Sequence, residues 1–320
     1  MTKPLPPAAS RKAASKRHAT RKKVRPICDF VPDAKPIVKW VGGKSNLVPM
    51  LVTLLPDLGK VHAYHEPFAG GLALYLAIHK TLREQSIRSH VWDVNARLLD
   101  VYRLIREDHL VVLKGVEALQ DRSYADLVGI VNKNSGEMAV DYRVAAFLLV
   151  NRRCFNGVWR ENKLGLFNVP KGTSADRSVE LDELETFANA MRGVVIGKYG
   201  DRDAFDASTG DLASRSGEFH YFDPPYDGTF SSYGADGFDR IQHLRLATFA
   251  REIHRAGGLF MVSTSDTPFI RGIYDGFNVT ELDARRSVAA SGKTAKSVRE
   301  LAIRNYSGIR EWTDNSKVTP

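Results

Sequence analysis

Strand-like runs and helical periods alternate along most of the chain. Residues 62–67 read as a strand, a glycine turn follows, and the apolar spacing over about 72–84 predicts a helix. Residues 89–92 read as a second strand and about 96–107 as a second helix. A strand–helix–strand–helix run favours a parallel sheet. From about 109 to 192 the pattern changes: helical periods such as 142–150 precede a glycine- and asparagine-rich stretch at 151–172, and no convincing strand is present. This stretch is expected to form an inserted helical subdomain. Strand patterns return at 194–198, 218–222 and 258–263, with a helix over 244–256 and a last strand at 297–305. The expected fold is α/β without internal repeats: a unit of residues 36–108 and 193–310, the helical insertion at 109–192, and a flexible end at 311–320.

Charge changes the picture only at the N-terminus. The 320 residues carry 46 Lys and Arg against 37 Asp and Glu, a formal charge of +9. Nine of those bases, from Lys3 to Arg25, precede Cys28 with no acid among them, and without them the chain carries 37 of each sign. The basic character therefore belongs to a tail, residues 1–35, whose composition reads as disordered. Such a tail suits a phosphate-holding arm, a solubilising segment or a transit peptide, although Pro4, Pro6 and Pro7 weaken the helix a transit peptide needs. Cys28 and Cys154 make neither a disulfide framework nor a zinc-ligand spacing, so a reducing compartment and no metal are expected. Apolar stretches such as 144–150 fall short of the ~20 residues of a membrane span. A monomer in the cytoplasm is the expected state.

Chemistry concentrates at strand ends. Asp223-Pro224-Pro225-Tyr226 follows the strand at 218–222, at the edge where open α/β sheets bind ligands. An exocyclic ring amine is a poor nucleophile, because its lone pair is delocalised; two hydrogen-bond acceptors on its N–H groups would draw it toward tetrahedral geometry. The Asp223 carboxylate and the Pro224 carbonyl suit that task, Pro225 fixes φ, and Tyr226 offers a stacking face for a displaced base. The competing reading is a plain proline turn, but a given four-residue string arises by chance at only roughly 10⁻⁵ per position.

Glu66-Pro67-Phe68-Ala69-Gly70-Gly71 ends the first strand, where glycines let a backbone approach a cofactor or simply turn the chain. Asp93 closes the next strand, about the ~20 residues further on at which an acid binds ribose hydroxyls. Together they argue for a nucleoside-containing cofactor, while the missing Gly-x-Gly-x-x-Gly spacing argues against a dinucleotide. Gly43-Lys44-Ser45 and Gly292-Lys293-Thr294 lack the upstream glycine of a phosphate loop, Val38 and Ser287 standing there instead. Lys39-Trp40-Val41-Gly42-Gly43-Lys44 reads either as a turn leading into a helix, with Trp40 in the core, or as a ligand-binding cluster. Arg152, Arg153 and Arg160 form either a solvated face or, with Phe155 and Trp159, a base-reading surface.

In this order the motifs resemble the DNA adenine methyltransferase (Dam) family of N6-adenine enzymes, over about residues 36–306. The string Asn151-Arg152-Arg153-Cys154-Phe155-Asn156-Gly157-Val158-Trp159-Arg160, continued by Gly165-Leu166-Phe167-Asn168-Val169-Pro170, stands between the cofactor and catalytic motifs as in that family. Ser263-Thr264-Ser265-Asp266-Thr267 follows, and Arg285-Arg286-Ser287 with Lys296 to Leu301 resembles its C-terminal basic hairpin. The resemblance implies a Rossmann-like S-adenosyl-L-methionine-dependent methyltransferase sheet with a helical target-recognition insertion, acting on double-stranded DNA by base flipping. It implies a cofactor site of Trp40, Lys44, Phe68, Gly70 and Asp93, with Asp223 bridging to the target base and Asp223 to Tyr226 as catalytic centre. It implies DNA contacts by Lys39, Phe155, Asn156, Val158, Arg160 and Pro170, and GATC as target. Leu72, Ser265, Trp159 and Lys171 depart from the usual pattern and bear mainly on target sequence. Methylation of RNA or of a protein amide is the rival activity, and a DNA-binding protein without catalysis the rival class.

Overall fold

The central strands are short and buried on both faces, which places them in the middle of a layered structure. The computed structural model describes residues 32, 34–133, 137–173, 178–197, 216–228, 238–284 and 298–308. The basic tail, the residues 285–297 of the expected basic hairpin and the C-terminal end lie outside the described residues. Among the described residues seven strands form one sheet: β1 (Ala63–Glu66), β2 (Arg88–Val91), β3 (Val195–Ile196), β4 (Glu218–Phe222), β5 (Leu259–Ser265), β6 (Asn278–Ala284) and β7 (Val298–Arg304), in the order β3-β2-β1-β4-β5-β7-β6. From β3 to β5 neighbours are parallel, and β7 runs antiparallel between β5 and β6. All four residues of β1 are buried, as a central parallel strand requires.

The chain leaves β1 toward β2 on one side and enters β4 on the other. The carboxyl ends of β1 and β4 therefore face a topological switch point, the crevice in which such sheets bind ligands. Glu66 and Asp223 stand at those two ends.

Helices pack on both faces: α1 (Val48–Thr53), α2 (Ala73–Glu84), α3 (Ala96–Leu119), α4 (Tyr124–Val131), α5 (Val140–Arg153), α6 (Leu181–Ala190), α7 (Arg240–Arg255) and α8 (Pro268–Ile273). Their starts follow local chemistry. The Asn95 side chain accepts the Leu98 N–H at the start of α3, Asp239 accepts that of Gln242 at α7, and Thr267 that of Ile270 at α8. The helix expected to end near 107 does break there: Asp108 leaves helical geometry (φ −153°, ψ 84°), and its carboxylate accepts the N–H groups of Leu110 and Val111 to start the continuation. The helices between β2 and β3 share their apolar core with the sheet, since Leu127, Phe147 and Trp159 join the cluster that contains Leu51, Tyr64 and Phe219. A second cluster, with Phe222, Leu246, Phe249, Val262 and Leu301, lies under α7 and α8. No helix among the described residues is long and apolar enough to cross a membrane.

The glycine- and asparagine-rich stretch carries the end of α5, one 3-10 turn (Phe155–Gly157) and two isolated bridges, Cys154 with Lys171 and Glu161 with Phe167. β6 was not expected. It is an edge strand whose large apolar residues, Val279 and Leu282, stand three apart and so show no period of two, and its pairing with β7 becomes visible only in the sheet.

Leu72 departs from the usual glycine at a position where glycine has a physical use. Its backbone is left-handed (φ 58°, ψ 30°) just before α2, yet its side chain is fully buried. Left-handed backbone costs a non-glycine residue roughly 1–2 kcal/mol, and burying a leucine contributes more than that. Leu72→Ala is expected to lose about 2–5 kcal/mol in urea denaturation. Leu72→Gly should be no less stable than Leu72→Ala, because relief of the backbone offsets the lost methyl.

Candidate active site

The turn after β1 is held by the acid after β2. Asp93 Oδ2 accepts the Gly70 N–H at 2.8 Å and Oδ1 accepts the Asn95 N–H at 2.9 Å. Tyr102 donates its hydroxyl to the Gly70 carbonyl, and the Ala69 N–H bonds Trp92 O at 2.8 Å. Gly70 has φ +44°, and a Cβ built on it would lie 3.0 Å from Trp40 Cδ1. A side chain there would meet both strain and the indole ring. Burial raises the Asp93 carboxyl, with the two amides opposing the rise. Each carboxylate oxygen has taken one N–H, which leaves acceptor capacity for hydroxyl groups.

Across the switch point, Asp223 follows β4 and meets a buried ammonium. Lys44 is 4% exposed, and its Nζ lies 2.7 Å from Asp223 Oδ1 and 3.9 Å from Glu300 Oε2 of β7. The same nitrogen donates to Gly42 O at 2.9 Å and Tyr226 Oη at 3.1 Å, and lies 4.8 Å from the Tyr226 ring centroid. Burial pushes the Asp223 carboxyl up to about 6; Lys44 pulls against the rise and Glu300 adds to it. Glu66 is more buried still and is pushed up to about 8, although the Tyr64 hydroxyl donates to it at 2.5 Å. Phe68 meets Phe222 and Phe238 edge-on at 6.4 and 5.6 Å. Asp227, just past Tyr226, accepts from Arg240 and from Thr267, which ties the end of the motif to α7 and α8.

The segment from Asn151 to Gly172 forms a braced loop. The buried Asn151 side chain accepts the Lys39 N–H and donates to Lys39 O, both at 2.8 Å. Gly157 sits so close that an added Cβ would lie 2.4 Å from Lys39 Cβ. Phe155 N–H bonds Pro170 O at 2.9 Å, and Tyr124 and Asn132 hold Val169 and Phe167. Glu161 accepts from Trp159 Nε1 at 2.9 Å and from Arg97 Nη1 at 2.7 Å. On this frame Lys39, Phe155, Asn156, Arg160 and Pro170 are exposed and Val158 is half-buried. Phe155, at 47%, is one of the most exposed aromatics described. Arg160 extends along the loop, its Nε donating to Asn168 Oδ1 at 2.8 Å.

The structure separates the three arginines that sequence alone grouped. Arg152 pairs with Glu183 of α6 at 2.9 Å, and Arg153 is buried, donating to Gln120 O at 2.7 Å. Both brace the loop, and neither forms a solvated or base-facing surface; Arg160 alone remains outward. Trp159 is buried at 3% and stacks on Phe147 at 4.0 Å, so it is core. Trp40 is half-buried, stacking toward Phe147 and Trp159 at 6.5 and 6.3 Å while its edge walls Gly70. Sequence reading placed Asn151 and Glu300 in motifs without a role of their own, and gave Glu161 none. The available signal was a carboxylate set among apolar residues of the last strand, and an amide inside a buried helical run.

A mostly parallel sheet with a glycine turn and an acid on one side of its switch point, and an acid beside two prolines on the other, is the arrangement in which open α/β folds place a ligand site. A family model described as D12 class N6 adenine-specific DNA methyltransferase matches residues 40–288, and the chain belongs to that family. It is similar to the type II methyltransferase M.MjaIII of Methanocaldococcus jannaschii, 31% identical over 86% of this chain and all of the relative. It is 30% identical to the retron Ec67 DNA adenine methylase of Escherichia coli, over 86% of this chain and 92% of that one. The DNA adenine methylase of Vibrio cholerae is likewise 30% identical, over 82% and 93%. The protein is thus a site-specific adenine-N6 DNA methyltransferase.

The Glu66 carboxyl sets a pH dependence of stability. Its folded value, about 8, lies above the 4.5 of an ordinary glutamate carboxyl. A raised group contributes stability that is complete below its unfolded value and is lost as pH rises through the folded one. Denaturant titrations of the protein are expected to lose up to about 1.4 kcal/mol per pH unit from this group between roughly pH 5 and 8. Glu66→Gln should flatten that part of the profile, measured as the difference between pH 5.5 and 8.5.

Proposed function

We propose that the enzyme takes S-adenosylmethionine between the Gly70 turn and Asp223, and methylates N6 of an adenine rotated out of duplex DNA. The observation that carries this reading is the placement of Asp223, across the switch point from the Gly70–Asp93 turn and fixed by Lys44. Asp93 offers acceptors for ribose hydroxyls, Trp40 and Phe68 offer apolar walls, and Gly70 allows close approach. S-adenosylmethionine supplies an electrophilic methyl group on a sulfonium.

The chain's own groups prepare the amine. Asp223 Oδ1 is occupied by Lys44, so Oδ2 and the Pro224 carbonyl are the acceptors for the two N6 hydrogens. Pro225 holds the turn and Tyr226, its hydroxyl tied to Lys44, offers the stacking face. Burial and Glu300 alone would carry the Asp223 carboxyl higher; Lys44 keeps it ionised, and so an acceptor, near neutral pH. As the amine gains positive charge, the Asp223 carboxylate matches it electrostatically. Transfer is direct and in line, with alignment supplying much of the rate.

Target reading falls to the braced loop. Arg160 can bond guanine O6 and N7 bidentately, Val158 and Pro170 can meet a thymine methyl, and Phe155 can fill the gap left by the adenine. Lys39 and Asn156 stand beside them, and GATC is the proposed site.

Asp223→Ala is expected to reduce methyl transfer at least a thousandfold while gel-shift affinity for DNA stays within a few-fold; retained transfer would refute the assignment. Single-turnover rates should rise with pH through about 6 as Asp223 ionises, and in Lys44→Met at saturating cofactor that rise should move to higher pH. Arg160→Ala should cost roughly 1–3 kcal/mol of discrimination at one guanine of the site. Base-resolution mapping of N6-methyladenine on an unmethylated plasmid checks both target and loss of discrimination; methylation outside GATC would revise the target alone.

A further inference from the structure

The sheet face away from Glu66 carries a cluster that methyl transfer does not use. Residues two apart on a strand share a face, and aligned residues of neighbouring strands lie about 4.8 Å apart. β4 therefore presents Glu218 and His220 on one face. His220 is in register with His65 of β1, and His65 with His90 of β2. The imidazoles stack, His65 on His220 at 4.4 Å and on His90 at 4.9 Å, and Trp92 lies parallel to His65 at 5.7 Å. Phe249 of α7 closes the other side of His220 edge-on at 6.1 Å.

Within this stack three donor atoms converge. Glu218 Oε2 lies 3.4 Å from His65 Nε2 and 3.2 Å from His220 Nε2. The ligand atoms of the three residues all lie within 4.8 Å of one another. His65 is only 9% exposed, and neither of its ring nitrogens makes a hydrogen bond of good geometry among the described residues, although Nε2 approaches the carboxylate. Two ligands about 2.0–2.1 Å from a tetrahedral zinc ion lie roughly 3.3–3.4 Å apart. Both separations from Glu218 already have that size; the two imidazoles are stacked nearly parallel, and ion binding turns one of them out of the stack so that both in-plane lone pairs meet the ion.

We propose that His65, Glu218 and His220 bind a divalent transition-metal ion of the zinc class. Two imidazoles and one carboxylate are the donor set such ions prefer, and a water would complete the fourth position. Glu218, with 18% of its side chain exposed, is the member of the set nearest solvent and gives the ion its way in. The ion cross-links β1 to β4, the two strands that carry Glu66 and Asp223, from the opposite face of the sheet. Its role is to hold that strand pair, and it takes no part in methyl transfer.

The test uses chelator-treated full-length protein, with Co²⁺ as the spectroscopic probe and Zn²⁺ as competitor. One equivalent of Co²⁺ should bind with the intense visible absorption of a four- or five-coordinate site, be displaced by Zn²⁺, and saturating Zn²⁺ should raise Tm. The chain has nine histidines, so assignment rests on His65→Gln and Glu218→Gln, each expected to weaken binding at least tenfold. Absence of stoichiometric binding by the folded protein, or affinity in either variant unchanged from wild type, overturns the proposal. If circular dichroism shows that the variants do not fold, the wild-type spectrum decides: the weak absorption of a six-coordinate surface ion overturns the site.

Discussion

One buried ammonium organises the catalytic end of this molecule. Lys44 is taken out of water, and an unpaired buried charge costs several kcal/mol. Its partners therefore have to come to it: Asp223 from the end of β4, Glu300 from β7, Tyr226 from the proline turn and the Gly42 carbonyl from its own loop. Three separate parts of the chain are fixed relative to one another by that single requirement. The same contact makes Asp223 useful. A carboxyl this deeply buried tends toward its neutral form, which is a poorer acceptor for an amine, and the ammonium beside it restrains the shift at about 6.

The segment before β1 does a second task through its backbone. Lys39 is clamped by both ends of the Asn151 amide, and Trp40 lies between the Gly70 turn and the aromatic pair Phe147 and Trp159. A short stretch of chain thus touches the glycine turn, the braced loop and, through Lys44, the acid after β4. Arg97, at the start of α3 and four residues beyond Asp93, adds a link by bonding Glu161 and the Gly165 carbonyl of the loop. The loop lacks regular strands, yet its shape is held by side chains that accept and donate to its backbone, and that leaves Phe155 and Arg160 outward on a firm support.

Much of the sheet was legible in sequence because the signal is local. The strand at 218–222 agrees residue for residue with β4, and the first two strand–helix pairs are displaced by only a residue or so. Asp108 marks the limit: the pattern ended the helix at 107, and its carboxylate starts another that the pattern could not see. β6 escaped because Val279 and Leu282 stand three apart and break the period of two, so only pairing with β7 makes the segment a strand. Arg152, Arg153 and Arg160 look alike in a string of residues. Only the fold separates two that hold carbonyls and a carboxylate from one that extends over the loop surface.

The sequence by itself determined the residue types at the strand ends, the order of the motifs and hence the family and its reaction. Those features depend on a few neighbouring residues and survive as a pattern. The tertiary structure decided what surrounds each charge: that Lys44 meets Asp223 and Glu300, that Glu66 is buried beside Tyr64, and that His65 lies against Glu218 and His220 across more than 150 positions of chain. Burial, acidity and ligand geometry arise from atoms brought together across the sheet, and spacing along the chain carries no record of them.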